Sequence, residues 1–286
     1  MSGYLEEILA ILAINTILAY GAFLPMAAGQ LNLGVAGFMA IGAYGSGFLN
    51  TEFGIPVIFA ALLGGALAGV VGVIVGFPVL RTRGMYLALA TFALGEVVRG
   101  TILNMEVVGA AEGYAVDGYV GIGTLWLFAA AVFVFVGFLF ATRFALCIKS
   151  VQDDETVADL FGINVKWTQL AAFTIGAFLA GIGGALYGHR FTFIEAQYFS
   201  VILSIYIVLY VLFGGFLTVI GPLVGATFFT LLPEILRATN EWRFVIFAIA
   251  IILLMVWRPW GLISKEMIDR LLGMGRGWRK RAKHEG

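Results

Sequence analysis

Polar residues are few in this chain, and they concentrate in three short stretches. The first spans residues 29–34 and reads GQLNLG, close behind Pro25, so that Gln30 and Asn32 stand among glycines. Proline and glycine free backbone groups from helical pairing, and a membrane tolerates such groups only where they are buried in protein or face water. The stretch predicts a broken helix or re-entrant turn that lines a solute pathway. A plain turn between two helices is the alternative.

The second stretch pairs Glu96 with Arg99, and the segment VGAAEG follows at residues 108–113. Residues three apart share one face of a helix. Charges at membrane depth are unfavourable and usually face the interior of a helix bundle. The pair is therefore a candidate for a solute pathway, with a structural ion pair at a helix end as the alternative. Residues 108–113 predict an outer loop.

The third stretch, residues 142–166, is the only sizeable charged segment between apolar runs. Ser150 or Asp153 can cap a short helix, and acidic residues near its first turn suit the helix dipole. Gly162 is a good C-terminal stop. The stretch predicts a short amphipathic helix over residues 154–161.

Val157, Leu160 and Phe161 supply the apolar face of that helix. Exposed apolar residues rimmed by charge are typical of interaction sites. We therefore predict a docking surface for a partner protein. The alternatives are a helix that lies on the membrane and a helix that folds back on the chain's own bundle.

The sequence contains no residues arranged for catalysis or metal binding. It has no Gly-x-x-x-x-Gly-Lys-Ser/Thr phosphate loop and no Ser/His/Asp arrangement, and its two histidines, His189 and His284, are isolated. Cys147 is the single cysteine, which excludes an intramolecular disulfide. We therefore predict that the chain is not an enzyme, has no catalytic or metal-binding residues and binds no cofactor.

The composition indicates which elements carry these stretches. Hydrophobic residues make up 61% of the chain and charged residues 12%, and the mean hydropathy is +1.00. A soluble domain has about 25% charged residues, so a soluble, disordered or nucleic-acid-binding protein is excluded. The apolar runs predict an all-α polytopic membrane protein with about nine transmembrane helices, within a range of about eight to ten. The runs are residues 8–51 (two helices), 53–80, 84–99, 118–142, 167–188, 196–233 (two helices) and 244–257.

The distribution of charge orients these helices. From residue 258 to the end there are eight basic and three acidic residues, and basic segments remain in the cytoplasm. Counting back over nine spans places Arg81, Arg83 and residues 143–166 inside, and residues 6–7 and 104–118, which carry only acidic charges, outside. We expect a transmembrane domain over residues 1–263, a basic cytoplasmic tail over 264–286 and an extracytoplasmic N-terminus. An even number of spans would place the N-terminus inside.

Two glycine-rich segments form a weak internal repeat. Residues 67–76 read LAGVVGVIVG and residues 179–188 read LAGIGGALYG. In the nine-span arrangement the copies cross the membrane in opposite directions, which is typical of the inverted repeats of transporters. The alternative is the small-residue spacing common to packed membrane helices.

The third stretch and the helix after it carry a family resemblance. Residues 143–188 read RFALCIKSVQDDETVADLFGINVKWTQLAAFTIGAFLAGIGGALYG and resemble the cytoplasmic loop and following helix of the branched-chain amino acid ABC transporter permeases. Four further segments resemble signatures of that family in the same order. They are GQLNLGVAGFMAIGAY at 29–44, GMYLALATFALGEVVR at 84–99, GGFLTVIGPLVG at 214–225 and RPWGL at 258–262.

Two departures from the family leave the cargo open. Asn32 stands where the family has serine, and residues 108–113 replace its usual Thr-Gly-Gly-x-x-Gly outer segment. The resemblance implies the permease subunit of an ABC importer for branched-chain amino acids that works by alternating access. Urea, short amides and aromatic acids are alternative cargoes. An ion-coupled secondary transporter is a competing class, for which Glu96 is the only serious coupling carboxylate.

The resemblance also implies partners and a location. They are cytoplasmic ATPase subunits that bind ATP and Mg²⁺, a second permease that is identical or different, and an extracytoplasmic solute-binding protein. The expected location is a bacterial or archaeal plasma (inner) membrane, with lipid around a multi-pass chain.

Site residues follow from these inferences. A zwitterionic solute needs partners for its ammonium and carboxylate groups, and helix ends and amide side chains supply them. The predicted pathway residues are Gln30, Asn32, Gly34, Tyr44, Thr91, Glu96, Arg99 and Ser204. The predicted ATPase-coupling residues are Arg143, Phe144, Lys149, Asp153, Asp154, Glu155, Ala158, Leu160, Gly162 and Asn164.

Overall fold

The computed structural model describes residues 2–235, together with Ile249, Ile252 and Leu262. The helices in this part of the chain are α1 (Ser2–Ala27), α2 (Val35–Phe53), α3 (Val57–Val79), α4 (Met85–Leu103), α5 (Ile122–Ala141), α6 (Arg143–Asp153), α7 (Glu155–Leu160), α8 (Val165–Phe191), α9 (Val201–Gly214) and α10 (Gly221–Ile235). Strands β1 (Tyr114–Ala115) and β2 (Phe193–Ile194) pair antiparallel. Apart from Ile249, Ile252 and Leu262, the predicted span at 244–257, the RPWGL segment and the basic tail lie outside the described residues.

Helix α8 lies at the centre of the described bundle and contacts α1, α2 and α3. Glycines bring the backbones of these helices together. A Cβ atom on Gly184 of α8 would overlap the carbonyl oxygen of Met39 in α2, and a Cβ atom on Gly42 would overlap the backbone of Gly181. Small residues permit this close approach between membrane helices.

The two copies of the internal repeat lie on neighbouring helices and meet where Ala68 of α3 contacts Gly181 of α8. Gly65 of α3 lies against Ile182 of α8, whereas Gly76 lies against Leu170. Sequence numbers rise along one helix as they fall along the other, so α3 and α8 are antiparallel. The opposite directions that the repeat predicts are therefore present in the structure.

Contacts of the same kind place α2 and α4 parallel to α8, and α1 and α5 antiparallel to it. Helices α2 and α8 are parallel through Met39–Gly184 and Ala43–Gly188, and α2 and α4 through Gly34–Thr91 and Gly37–Gly95. Helices α1 and α8 are antiparallel through Leu18–Gly183 and Gly21–Gly176. Helices α1 and α5 are parallel through the ring contacts Tyr20–Phe133 and Phe23–Phe140. One end of the bundle therefore carries the α3–α4 turn with α6 and α7. The other end carries the start of α1 and the acidic segment at 104–118. The side of the membrane that each end faces stays a prediction.

Five of the described helices are long and apolar enough to cross a membrane, namely α1, α3, α4, α5 and α8. Helix α2 has 19 residues but is not among the five, and most of its residues are buried against other helices. Polar residues such as Ser46 need not meet lipid in that position. Helices α9 and α10 have only 14 and 15 residues. The all-α polytopic class is confirmed, whereas the count of nine spans is not.

A buried arginine organises the end of the bundle opposite α7. The Arg190 guanidinium donates to Glu7 Oε1 at 2.7 Å and to the Tyr119 hydroxyl, and it lies over the Tyr119 ring. The neighbouring His189, which sequence reasoning treated as incidental, is buried with its Nδ1 3.0 Å from the Gly118 carbonyl oxygen. These contacts tie the start of α1 to the loop before α5 and to the end of α8.

Candidate solute pathway and docking surface

The chain between α1 and α2 is non-helical and lies partly inside the bundle. The Gln30 N–H donates to the Pro25 carbonyl oxygen at 3.0 Å, and the Gly34 N–H donates to Asn32 Oδ1 at 2.8 Å. The Leu33 N–H donates to the Thr91 hydroxyl of α4 at 3.0 Å. The predicted break is present, and side chains pair with its backbone groups, as buried backbone requires.

The first turn of α2 continues this arrangement. The Ala36 N–H donates to the Ser204 hydroxyl of α9 at 2.9 Å, and both Thr91 and Ser204 are fully buried. A Cβ atom on Gly34 would lie 2.8 Å from the Thr91 carbonyl oxygen, so this position requires glycine. The structure thus brings together four predicted pathway residues, Asn32, Gly34, Thr91 and Ser204. We call residues 30–36 with Thr91 and Ser204 the clasp.

Gln30 is the polar group of the clasp that remains available. Its side chain is 2% exposed, and neither Oε1 nor Nε2 has a hydrogen-bond partner among the described residues. A buried polar group without a partner is unfavourable by about 1–3 kcal/mol. The Gln30 amide therefore does not stabilise the fold through hydrogen bonds to described residues. It is the strongest candidate of the clasp for contact with a polar solute.

The other predicted pathway residues lie apart from the clasp. The Tyr44 hydroxyl donates to the Ile194 carbonyl oxygen at 3.3 Å, beside the two-stranded sheet. Arg99 donates to Glu96 Oε2 through Nε at 3.0 Å, and each side chain is about one-third exposed. Both partners of the ion pair therefore belong to α4. This agrees with the alternative interpretation of the sequence, a structural ion pair.

An apolar cavity of about 380 Å³ lies beside the clasp, between α1, α2, α8 and α9. Ile14, Met39 and Leu203 contribute aliphatic wall, and Tyr187 and Tyr210 contribute aromatic wall. Leu203 directly precedes Ser204, and Met39 lies one helical turn beyond Ala36. The cavity therefore adjoins the clasp, although sequence reasoning named none of its lining residues.

A carboxylate that the sequence analysis missed lies near this cavity. Glu195 precedes the turn that places Tyr198 in the cavity wall, and it lies within electrostatic range of the Tyr44 and Tyr187 hydroxyls. It forms no ion pair with another described residue. Only its position before an apolar run marked it in the sequence. The described residues contain no group of three His, Cys, Asp or Glu placed to hold a metal ion.

Two helices, and not one, form the predicted coupling loop. Helix α6 was not predicted, and it buries Ala145, Ile148 and Val151 against the bundle. Helix α7 matches the predicted short helix but ends at Leu160 instead of Phe161. Its cap is Asp154, and not Ser150 or Asp153, because Asp154 Oδ1 accepts the N–H groups of two residues in the first turn at 2.8 and 3.0 Å.

The predicted stop at Gly162 is present, since this residue has φ +81° directly after the helix. The other predicted coupling residues differ in their surroundings. Asn164 caps α8 through Trp167 N–H at 3.1 Å, Ala158 is buried, Phe144 and Lys149 are half-buried, and Arg143, Asp153 and Leu160 are exposed.

Helix α7 is anchored on one side and exposed on the other. Glu155 Oε2 lies 3.1 Å from Arg83, and its Oε1 accepts a hydrogen bond from Gln169 at 2.8 Å. Leu160 and Phe161 are each 83% exposed. We call Val157, Leu160 and Phe161 the α7 surface. The side chains of Leu160 and Phe161 do not pack against the described bundle. The alternative of a helix whose apolar face folds back on the chain's own bundle therefore does not hold for these two residues.

Comparison with known proteins identifies the family. A family model described as "Branched-chain amino acid transport system / permease component" matches residues 4–256. The chain belongs to this family. It is accordingly a transport-system permease component and not an enzyme.

Relatives within and beyond that description carry several cargoes. The "High-affinity branched-chain amino acid transport system permease protein LivM" of Escherichia coli (strain K12) is 28% identical, over 82% of this chain and 64% of LivM. The nucleoside ABC transporter permease protein NupC of Lactococcus lactis is 27% identical over 56% of this chain and 58% of NupC. The ribose import permease protein RbsC of Escherichia coli (strain K12) is 26% identical over 64% of this chain and 60% of RbsC.

The chain therefore matches less than two-thirds of the length of LivM. No solved structure matches it.

The clasp makes a prediction about Thr91. Replacing Thr91 by valine preserves the shape of the side chain but leaves the partly buried Leu33 N–H without its acceptor. We expect a loss of stability of about 1–3 kcal/mol, measured by chemical unfolding in detergent micelles. Thr91→Ser is the matched control, because it retains the hydroxyl group. Equal stability of the valine and serine variants would contradict the role of this hydrogen bond.

Proposed function

We propose that this chain is the membrane-spanning permease subunit of an ABC importer and forms the translocation path for branched-chain amino acids. Its permease domain covers residues 1–263, and residues 264–286 form a cytoplasmic tail. Separate ATPase subunits bind ATP and Mg²⁺, a second permease completes the path, and an extracytoplasmic binding protein delivers the solute. The chain lies in a bacterial or archaeal plasma (inner) membrane with its N-terminus outside.

The α7 surface is the observation that carries this proposal. Two large apolar side chains, Leu160 and Phe161, project from a charged segment that is itself fixed to the bundle through Glu155. Exposed apolar side chains rimmed by polar groups are typical of protein interfaces. A helix of this kind between membrane spans suits a groove on an ATPase subunit. That subunit would provide the energy for transport, because this sequence has no phosphate loop for binding ATP.

A contact between the coupling loop and the clasp supports a route for coupling. Gln152 of α6 lies 3.7 Å from the position of a Cβ atom on Gly29, directly before the clasp. Motion of α6 and α7 on an ATPase subunit would therefore reach the break between α1 and α2. The break is held by two hydroxyl groups from α4 and α9, so its displacement would also move those helices.

The cavity beside the clasp supports an apolar amino acid as cargo. Its wall is mostly aliphatic and aromatic, which suits a branched aliphatic group. Ribose or urea would find only Asn15 and the tyrosine hydroxyls as polar side-chain partners there. Glu195 suits the ammonium group of an amino acid. The names of the nucleoside and ribose relatives keep those cargoes as the alternative, together with urea, short amides and aromatic acids.

A secondary transporter has less support. Ion coupling usually needs an unpaired intramembrane carboxylate. Glu96, the candidate in the sequence, is held by Arg99 in the same helix. Glu195 has no ion pair with a described residue, but it lies in the turn after α8 and not within a described membrane-spanning helix.

The α7 surface predicts the behaviour of a double variant. Replacing both Leu160 and Phe161 by serine removes the apolar contact without touching the Asp154 cap or the Glu155 anchor. We expect at least a tenfold loss of ATPase subunit co-purified with the permease, in line with about 1.5–3 kcal/mol for burying each large apolar side chain. Leu160→Met with Phe161→Leu is the matched control, and it should retain the ATPase. Retention of the ATPase by the serine variant would overturn the docking role.

Glu195 predicts the charge preference of the pathway. In the assembled transporter, Glu195→Gln should lower leucine uptake by about tenfold, because a charge-assisted hydrogen bond to the ammonium group contributes about 1.5–3 kcal/mol. Glu112→Gln, an exposed acidic residue in the segment before α5, is the control and should leave uptake unchanged. Undiminished leucine uptake by the Glu195 variant would contradict this assignment, and so would uptake of ribose in place of leucine.

A further inference from the structure

A second cavity lies where two membrane helices end, and the proposed function does not use it. It has a volume of about 350 Å³ and lies between the end of α3 and the start of α8, which are antiparallel neighbours. Both helices are long and apolar enough to span a membrane. Their ends therefore lie where hydrocarbon meets lipid headgroups. We call this cavity the α3–α8 groove, lined by Phe77, Leu80, Arg81, Asn164, Lys166, Trp167 and Leu170.

The wall of the groove is apolar and partly aromatic. Phe77 and Trp167 are 63% and 67% exposed, and Leu170 closes the base. Both rings are thus more than half exposed, although the Arg81 guanidinium lies over the Phe77 ring. Tryptophan is enriched at the boundary between hydrocarbon and headgroups, because its ring is apolar and its N–H is polar. The wall therefore suits the upper part of an acyl chain.

The rim of the groove is cationic. The Arg81 guanidinium carbon lies 5.5 Å from the centre of the Phe77 ring, and Lys166 is exposed in the first turn of α8. Neither forms an ion pair with a described residue, whereas the nearby Arg83 lies 3.1 Å from Glu155. The N-terminal end of α8 adds positive potential at the same point. Two cations above an apolar wall are thus available to one anion.

We propose that the α3–α8 groove binds an anionic phospholipid, with its phosphate between Arg81 and Lys166 and its acyl chain along Phe77 and Trp167. Basic pockets between membrane helices recognise anionic headgroups in this way. A free phosphate ion would contact the two cations of the rim but would leave the apolar wall uncovered. A zwitterionic lipid would cover the wall, but its headgroup has no net negative charge to pair with the two cations. The bound lipid would hold the start of α8 next to α7.

Fluorescence quenching tests this site in the full-length chain. The chain is reconstituted into vesicles that contain either brominated phosphatidylglycerol or brominated phosphatidylcholine at the same mole fraction. The difference in quenching between the native chain and Trp167→Phe isolates the signal of Trp167. We expect this signal to show about a tenfold preference for phosphatidylglycerol, which is within what two basic residues near a headgroup supply.

Charge variants show whether the preference comes from the groove. Arg81→Gln with Lys166→Gln should abolish it. Arg83→Gln with Lys149→Gln removes the same charge from residues that do not line the groove and should preserve it. An unchanged preference in the first variant would overturn the proposal. Displacement of the brominated lipid by inorganic phosphate would also overturn it, since the site would then recognise an anion alone. The Arg81→Gln, Lys166→Gln variant is also tested for co-purification of the ATPase subunit. If it loses the ATPase but keeps the lipid preference, the two cations act in protein docking, and the proposal is overturned.

Discussion

The backbone contact between α2 and α8 sets the arrangement of the other described elements. Gly42 and Gly184 allow the two helices to approach until no side chain separates them. Because α1 and α3 contact the same central helix, α2 is enclosed and its first turn is buried. In an apolar environment the backbone groups that precede this turn need partners from neighbouring helices. The clasp meets that requirement with the hydroxyl groups of Thr91 and Ser204.

This arrangement links the two regions to which we assign the proposed function. The clasp adjoins an apolar cavity on one side and approaches α6 on the other, through Gly29 and Gln152. A segment held by single hydrogen bonds is easier to displace than a continuous helix, since each bond contributes only about 0.5–1.5 kcal/mol net. We therefore propose the break between α1 and α2 as the place where motion of α6 and α7 alters the solute pathway at modest energetic cost.

The fold class followed from the sequence because the charged residues are so sparse that they delimit the apolar runs. The clasp was also predictable in part, since glycine and amide residues at 29–34 interrupt an apolar run. Such an interruption frees backbone groups, which must then find partners inside the protein or in water. Helix α6 was missed because the charged residues at 143, 149 and 153 surround a short apolar run that ends at Ile148, and a charged segment indicated a loop.

The cap of α7 was assigned to the wrong residue because Ser150, Asp153 and Asp154 are all good caps by type. Glu195 and the cavity were beyond reach, because their neighbours come from four helices far apart in the sequence. The two short helices α9 and α10 lie in one apolar run whose length suggested two full spans.

The central proposal is that ATP hydrolysis in partner subunits drives transport through this permease. The direct measurement is solute uptake into proteoliposomes that hold the chain, its second permease and its ATPase subunits, with the binding protein and labelled leucine, ribose, uridine or urea outside. We predict uptake of leucine that requires Mg²⁺ and ATP in the vesicle lumen, persists without ion gradients and disappears when the ATPase subunits are omitted. Uptake by the chain alone, driven by a proton or sodium gradient without ATP, would contradict the account.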